Sequence, residues 1–328
     1  MLASGLALLI LTLVAFGQPL SSLTLLFQGA FGDKYGLSTS IVRATPLMLC
    51  ALGVTVAWKS GMYSIGGEGQ FVLGGVVAAT VMPCLMTLPR AVFLPALVLA
   101  SVLGGAVFAL IPGWMSTKRG SQIVVSTILL NFVAIQILKF AVAGPLRAVA
   151  NGIPMSLEVP EHLRLGRLGT QLDLHYGVIL ALLVALLVAL LFSRSKLGFM
   201  LRLVGEAPGT ARANRISASR AQLLAMIVSG ALCGLAGGLE YMRNDGQLGT
   251  DFSQNWGFLA IPVALVGGLR PLGVIASSLM FGALFAGSEN LSRYTTSGSS
   301  IILIVQAVLV LAYVGYSARF QGRLQEST

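Results

Sequence analysis

Charged side chains are few in this chain: Asp, Glu, Lys and Arg make up 10% of its 328 residues, where a soluble domain carries about 25%. With 56% hydrophobic residues and a mean hydropathy of +0.88, that shortage excludes an ordinary soluble protein and points to an integral membrane one. Histidine is nearly missing. His162 and His175 fall in one polar connection, and no HExxH pair or paired carboxylate lies inside an apolar run, so membrane protease and hydrolase chemistry is disfavoured. The five lysines, Lys34, Lys59, Lys118, Lys139 and Lys196, leave no GxxxxGK[ST] loop, so any nucleotide this protein uses must be bound by another chain. Cys50, Cys84 and Cys233 are scattered over separate apolar runs and suit small buried side chains rather than a disulfide framework or a metal site. Acids inside apolar runs are confined to Glu68 and Glu240, whereas a proton-coupled carrier would hold several ionisable groups in its core.

What the chain has in quantity is apolar sequence. A bilayer core about 30 Å thick takes roughly 20 residues of helix, and ten runs approach that length: 3–26, 42–58, 62–82, 91–112, 121–143, 176–193, 221–241, 256–269, 271–288 and 300–317. Leu, Ala and Val fill whole runs such as VILALLVALLVALLF, without the period-two alternation of barrel strands. The fold class is therefore all-α integral membrane, with about ten transmembrane helices, some broken or short, in a single domain over 1–328. The opening MLASGLALLILTLVAFGQPL lacks a basic leader and reads as the first span rather than a secretory signal. With the N-terminus in the cytoplasm, ten crossings place 12 Lys/Arg inside and 8 outside, Lys139 lying within a run. The positive-inside rule thus favours both termini in the cytoplasm. The net charge of +10 is distributed as membrane-flanking charge, so lipid is the expected partner and nucleic acid is not.

Two connections are long and polar. Residues 144–175 form the outer, extracytoplasmic loop of this topology, and 193–220, SRSKLGFMLRLVGEAPGTARANRISASR, form the inner, cytoplasmic one. The inner segment carries six Lys/Arg and one acid, Glu206, and Pro208 suits the start of a short helix over 208–216. Such a helix docks a partner or anchors on anionic headgroups.

In GMYSIGGEGQF, residues 61–71, Glu68 stands alone between the uncharged stretches 44–58 and 69–89. At a glycine-rich break, a carboxylate and exposed backbone N–H groups satisfy one another; direct contact of Glu68 with solute is the other reading. Asn131, midway along its run, either lines a path or hydrogen-bonds between helices. Gly230, Gly234 and Gly238, spaced by four, make a helix-packing face. The regions 59–75 and 257–273 are both glycine-bearing and broken, as in transporters whose discontinuous helices meet near the midplane. Within the second, GGLRPLG reads as a tight inner hairpin.

Four stretches, taken together, resemble a known family. TPLMLCALGVTVAWKSGMYSIGGEGQFVLGG is similar to an apolar span followed by GLFNIGxEGQ, and STILLNFVA to STxMLNYxA. KLGFMLRLVGEAPGTARANRI resembles RTxxGFxLRAVGxNPxAARYAGI, and GFLAIPVALVGGLRPLGVIASSLMFGAL resembles GFxGIAVALLGxxxPxG. The family is that of the permease subunits of bacterial ABC importers for nucleosides and simple sugars, of branched-chain type, and the match covers about 44–316. Ser64 replaces the family's usual Asn, Ile123 stands where a Glu is common, and Asn214 and Arg215 replace a small Ala-Gly pair.

The resemblance implies a type II importer-like permease in the bacterial cytoplasmic (inner) membrane, without enzymatic activity or cofactor of its own. Its implied partners are a second, paralogous permease in a heterodimer, cytoplasmic ATP-binding subunits that carry ATP and magnesium, and an extracytoplasmic solute-binding protein. A nucleoside is the first expectation for the solute and a simple sugar the second; a stand-alone secondary transporter is the rival class. On this scheme Gly205, Glu206, Ala207, Pro208, Ala211, Arg212 and Ile216 couple to the ATPase, and Ser64, Glu68, Gln70 and Asn131 lie on the substrate pathway. Replacing Gly205 or Glu206 with a bulky residue is expected to uncouple ATP hydrolysis from uptake; unchanged solute-stimulated ATPase activity in reconstituted complexes would count against this assignment.

Overall fold

The computed structural model describes residues 19–148, 154–168, 174–243 and 246–294. The run at 300–317 lies outside them, as does most of that at 3–26. The described residues are helical, with two isolated β-bridges, Arg147 to Ser156 and Arg167 to His175, and no strand. In order the helices are α1 (Pro19–Phe31), α2 (Lys34–Lys59), α3 (Gly67–Leu85), α4 (Arg90–Arg119), α5 (Ile123–Ala143), α6 (Tyr176–Arg194), α7 (Lys196–Glu206), α8 (Pro208–Ala213), α9 (Ala218–Met242), α10 (Trp256–Val266) and α11 (Pro271–Tyr294). Seven of them, α2 to α6, α9 and α11, are long and apolar enough to cross a membrane. The chain is thus a multi-pass membrane protein.

The core is built around α2. It is apolar on all sides, the pattern of a helix enclosed by others, and 89% of its most apolar window is buried, against 22% for α5. The Asp33 carboxylate accepts from the Gly36 N–H at 2.6 Å and caps its start. Helices α4, α5 and α6 turn Leu103, Phe140 and Leu187 outward, as lipid-facing helices must.

Close approach, rather than large side chains, joins α9 to its neighbours. A Cβ on Gly230 or Gly234 would overlap backbone of α4 around Ser101 and Gly105, and one on Gly238 would overlap the Ser101 side chain. On another side of α9, Gly237 leaves no room beyond the Phe71 carbonyl, and Gly74 none beyond Gly234. Without a hydrophobic drive between helices in lipid, such backbone contact supplies the van der Waals packing.

Several predicted boundaries shift. Helix α2 begins at Lys34 rather than 42, where Asp33 caps it; within it, the Arg43 guanidinium is paired with Glu289 at 3.1 Å and lies over the Trp256 ring at 6.0 Å. Helix α3 begins at Gly67 rather than 62, leaving an irregular segment before it. The run at 256–269 yields only the 11-residue α10, about 16 Å long at 1.5 Å per residue, too short to cross. The helix expected over 208–216 ends at Ala213, with Arg215 at φ 59, and the separate α7 precedes it. In the outer connection, Val159 is buried and its N–H donates to the Gly246 carbonyl at 2.9 Å, while Ser156 N–H reaches Leu248 O at 2.9 Å.

Replacing Gly234 with Leu should lower stability by about 3 kcal/mol, because the α4 backbone at Ser101 and Gly105, and not a movable side chain, stands in the way. Gly249, where a Cβ meets nothing within 4 Å, supplies the control; thermal unfolding in detergent should separate Gly234→Leu from Gly249→Ala.

Candidate functional site

Beyond Lys59 the chain abandons the helix for seven residues, of which Ser60, Met62, Ser64 and Gly66 are buried and Tyr63 is exposed. Gly61 takes φ +80, and 60–66 is irregular. Non-helical backbone at membrane depth survives only where every polar group finds a partner. Met62 N–H donates to Ala57 O at 3.1 Å, Ser64 N–H to Met62 O at 2.8 Å and Gly66 N–H to Ser64 Oγ at 3.1 Å. The Trp58 indole donates to Ser64 O at 2.9 Å. From α5, Thr127 Oγ1 accepts from Ile65 N–H at 3.2 Å, and Asn131 Nδ2 donates to Ile65 O at 2.9 Å.

Asn131 has a second task. Gly66, the residue before α3, has no side chain to cap it, and the Asn131 Oδ1 accepts from Gly69 N–H, in the first turn, at 2.9 Å. Thr127 and Asn131, one helical turn apart and both fully buried, thus hold the segment and the start of α3 as a pair.

The same device recurs at α10. Its preceding residue, Asn255, adopts φ 62 and makes no side-chain cap. Instead Glu68 Oε2 accepts from Gly257 N–H at 2.8 Å, and the Ser253 side chain and Phe258 N–H lie beside the same carboxylate. A Cβ on Gly257 would overlap the backbone of Gly67 and Glu68, so the first turns of α3 and α10 touch. Two positive dipole ends meeting in one place favour an anion between them. Glu68 Oε1 and Gln70 Oε1 have no partner. Phe71 stacks on Phe252 at 5.3 Å, fastening the loop before α10 to α3.

The residues expected on a substrate pathway are therefore gathered, but enclosed: exposure is 4% for Ser64, 0% for Glu68, 1% for Gln70 and 0% for Asn131. The expected coupling residues lie on a different face. Glu206, Pro208 and Arg212 are exposed on α7 and α8, Ala207 and Ile216 are half-buried, and Ala211 is fully buried. Gly205 joins the two regions. A Cβ there would overlap Lys59 O and stand 2.9 Å from Gly61 N, so α7 bears directly on the turn that opens the irregular segment. Among the described residues no three His, Cys, Asp or Glu side chains gather to hold a metal.

Thr127 and Gly257 were not singled out individually in the sequence, although both lie in the quoted stretches. The signal for Thr127 is a hydroxyl four residues before Asn131, on the same helix face; Gly257, inside the first turn after Asn255, carries no such signal.

Residues 36–314 match the family described as branched-chain amino acid transport system / permease component, and the chain belongs to that family. It is 28% identical to a glucose ABC transporter permease of Haloferax volcanii, over 90% of this chain and 80% of that one. It is also 28% identical to a nucleoside ABC transporter permease of Lactococcus lactis, over 93% and 86%, and 27% identical to a guanosine ABC transporter permease of Bacillus subtilis, over 93% and 89%. No solved structure matches the chain.

Asn131→Ala would leave the Gly69 N–H and the Ile65 carbonyl buried without partners, at about 1–3 kcal/mol each. The expected result is a lower unfolding temperature and faster proteolysis within 60–66, whereas Phe132→Ala, on the exposed side of α5, should leave that cleavage rate unchanged.

Proposed function

We propose that this chain is the transmembrane permease subunit of an ATP-binding-cassette importer, and that it moves a nucleoside handed over by an extracytoplasmic solute-binding protein. The observation that carries this reading is the contact of Gly205 with Lys59 and Gly61, which joins an exposed, basic two-helix surface to an enclosed polar seam. A surface of that kind suits a separate motor, and no nucleotide-binding loop exists in this chain.

In this mechanism ATP and magnesium sit on cytoplasmic ATPase subunits. Their closure displaces the region around Gly205, Glu206, Ala207, Pro208, Ala211, Arg212 and Ile216, and the packed helices switch access from one side of the membrane to the other. Solute is moved because it binds the two access states unequally. Ser64, Glu68, Gln70 and Asn131 border the path, and the two unpartnered oxygens are acceptors for hydroxyl or base N–H groups.

The arrangement has the character of a type II importer, with about ten crossings, both termini cytoplasmic and an inner-membrane location. A paralogous permease completes a heterodimer, in keeping with pairs of relatives from single organisms, such as the two guanosine permeases of Bacillus subtilis. Relatives named for nucleoside and guanosine support the nucleoside. The relative named for glucose, matched over 90% of this chain, supports a simple sugar as the second reading.

The test is uptake into proteoliposomes holding both permeases, the ATPase and the solute-binding protein. ATP-dependent accumulation of radiolabelled guanosine, competed by other nucleosides and not by glucose, is expected. Competition by glucose alone would move the solute to the sugar class, and gradient-driven uptake by this chain without an ATPase would overturn the importer.

A further inference from the structure

Helix α10 is built as a separable piece. Four described non-glycine residues have positive φ, and three of them flank α10: Gln254 at 43° and Asn255 at 62° before it, and Leu269 at 53° after it. Such conformations persist only where the surroundings impose them. Gly268, at φ 64, adds a fourth left-handed residue at the far end. The 11-residue helix between these bends is therefore joined to its neighbours by left-handed bends rather than by continuous helix.

What holds it in place is unequal at the two ends. At its start, the bond from Gly257 N–H to Glu68 Oε2 is supplied by α3, not by the helix's own cap. Only one carboxylate oxygen is used, since Oε1 has no partner. Towards its other end, the Ser277 hydroxyl of α11 donates to the Val263 carbonyl at 2.7 Å. The segment 60–66 runs beside it, from the coupling face, where the Lys59 carbonyl abuts Gly205, to the buried seam.

Resting on the importer assignment above, we propose that Glu68 is a positioning residue of the transport cycle, whose bond to Gly257 latches α10 against α3. Motion of α7 is delivered at Lys59 and Gly61 and strains the latch through the irregular segment. Release of α10 opens the seam at Glu68 and Gln70; re-formation closes it. Asn131 and Thr127 keep the segment stiff enough to carry the displacement.

The experiment uses the complete reconstituted importer with Cys84→Ser, because Cys84 is exposed while Cys50 and Cys233 are buried. Ala260→Cys on α10, at a position fully buried here, reports movement through its rate of labelling by a water-soluble maleimide. Nucleotide-free and ADP–vanadate-trapped complexes should differ by at least about tenfold in that rate, the signature of a two-state shift. Glu68→Ala should make labelling fast in both states. Glu68→Gln, which keeps an acceptor oxygen, should restore the difference. If Glu68→Ala fails to assemble, Glu68→Asp, shorter by one methylene, serves in its place with the same expectation. Equal labelling in the two states of a complex that shows solute-stimulated ATPase activity would overturn the latch, as would parent-like labelling of Glu68→Ala or Glu68→Asp. A parent complex with no such ATPase activity would instead overturn the importer assignment.

Discussion

A backbone N–H removed from water and placed at membrane depth must find an acceptor, and here the Gly257 N–H finds it on another helix, in the carboxylate of Glu68 at 2.8 Å. Much of the interior follows from that bond. It brings the first turns of α3 and α10 into contact, and only glycine at 257 permits the approach. A charged side chain at such depth is costly unless paired, and two helix starts are the pairing. Asn131 does for α3 what Glu68 does for α10, so each helix that begins in the seam is capped from its neighbour. Removing either cap loosens two helices, because neither helix has one of its own.

Around this polar seam the bundle is held by the absence of side chains. Gly230, Gly234 and Gly238 let α9 lie against α4, and Gly237 and Gly74 let it lie against α3. Backbones this close have little freedom to slide, since any lateral shift brings carbonyl oxygens into collision. Close packing on that side and left-handed bends at both ends of α10 give the molecule a fixed frame and one short element set off from its neighbours in the chain. That division is what a protein needs if a displacement at Gly205 is to reach Glu68 without being absorbed on the way.

The sequence disclosed the class of fold and the chemistry of the seam more readily than the geometry. Apolar length and the scarcity of charge identified the crossings, and the isolation of Glu68 among glycines marked it as a carboxylate satisfying backbone N–H groups. Its partner was not legible, because Gly257 lies 189 positions away and no local pattern links the two. Apolar length was a poor guide to where α2 starts: the predicted run opens at 42, yet the helix reaches back to Lys34 through Ser38, Thr39 and Ser40, capped by Asp33. The end of α10 was legible: GGLRPLG reads as a tight hairpin, and the helix stops at Val266, with Gly268 and Leu269 at positive φ and the next helix starting at Pro271. Helix α7 was overlooked because its polar residues made it read as connection, although Leu201 and Val204 are buried on one side of it.

The enclosure of Ser64, Glu68, Gln70 and Asn131 bears on the bilayer as an electrical insulator. A passage lined by acceptor oxygens would offer stepping stones to protons and small cations if it stood open between turnovers. Here those oxygens, enclosed behind two helix ends, are withheld from the surface of the chain.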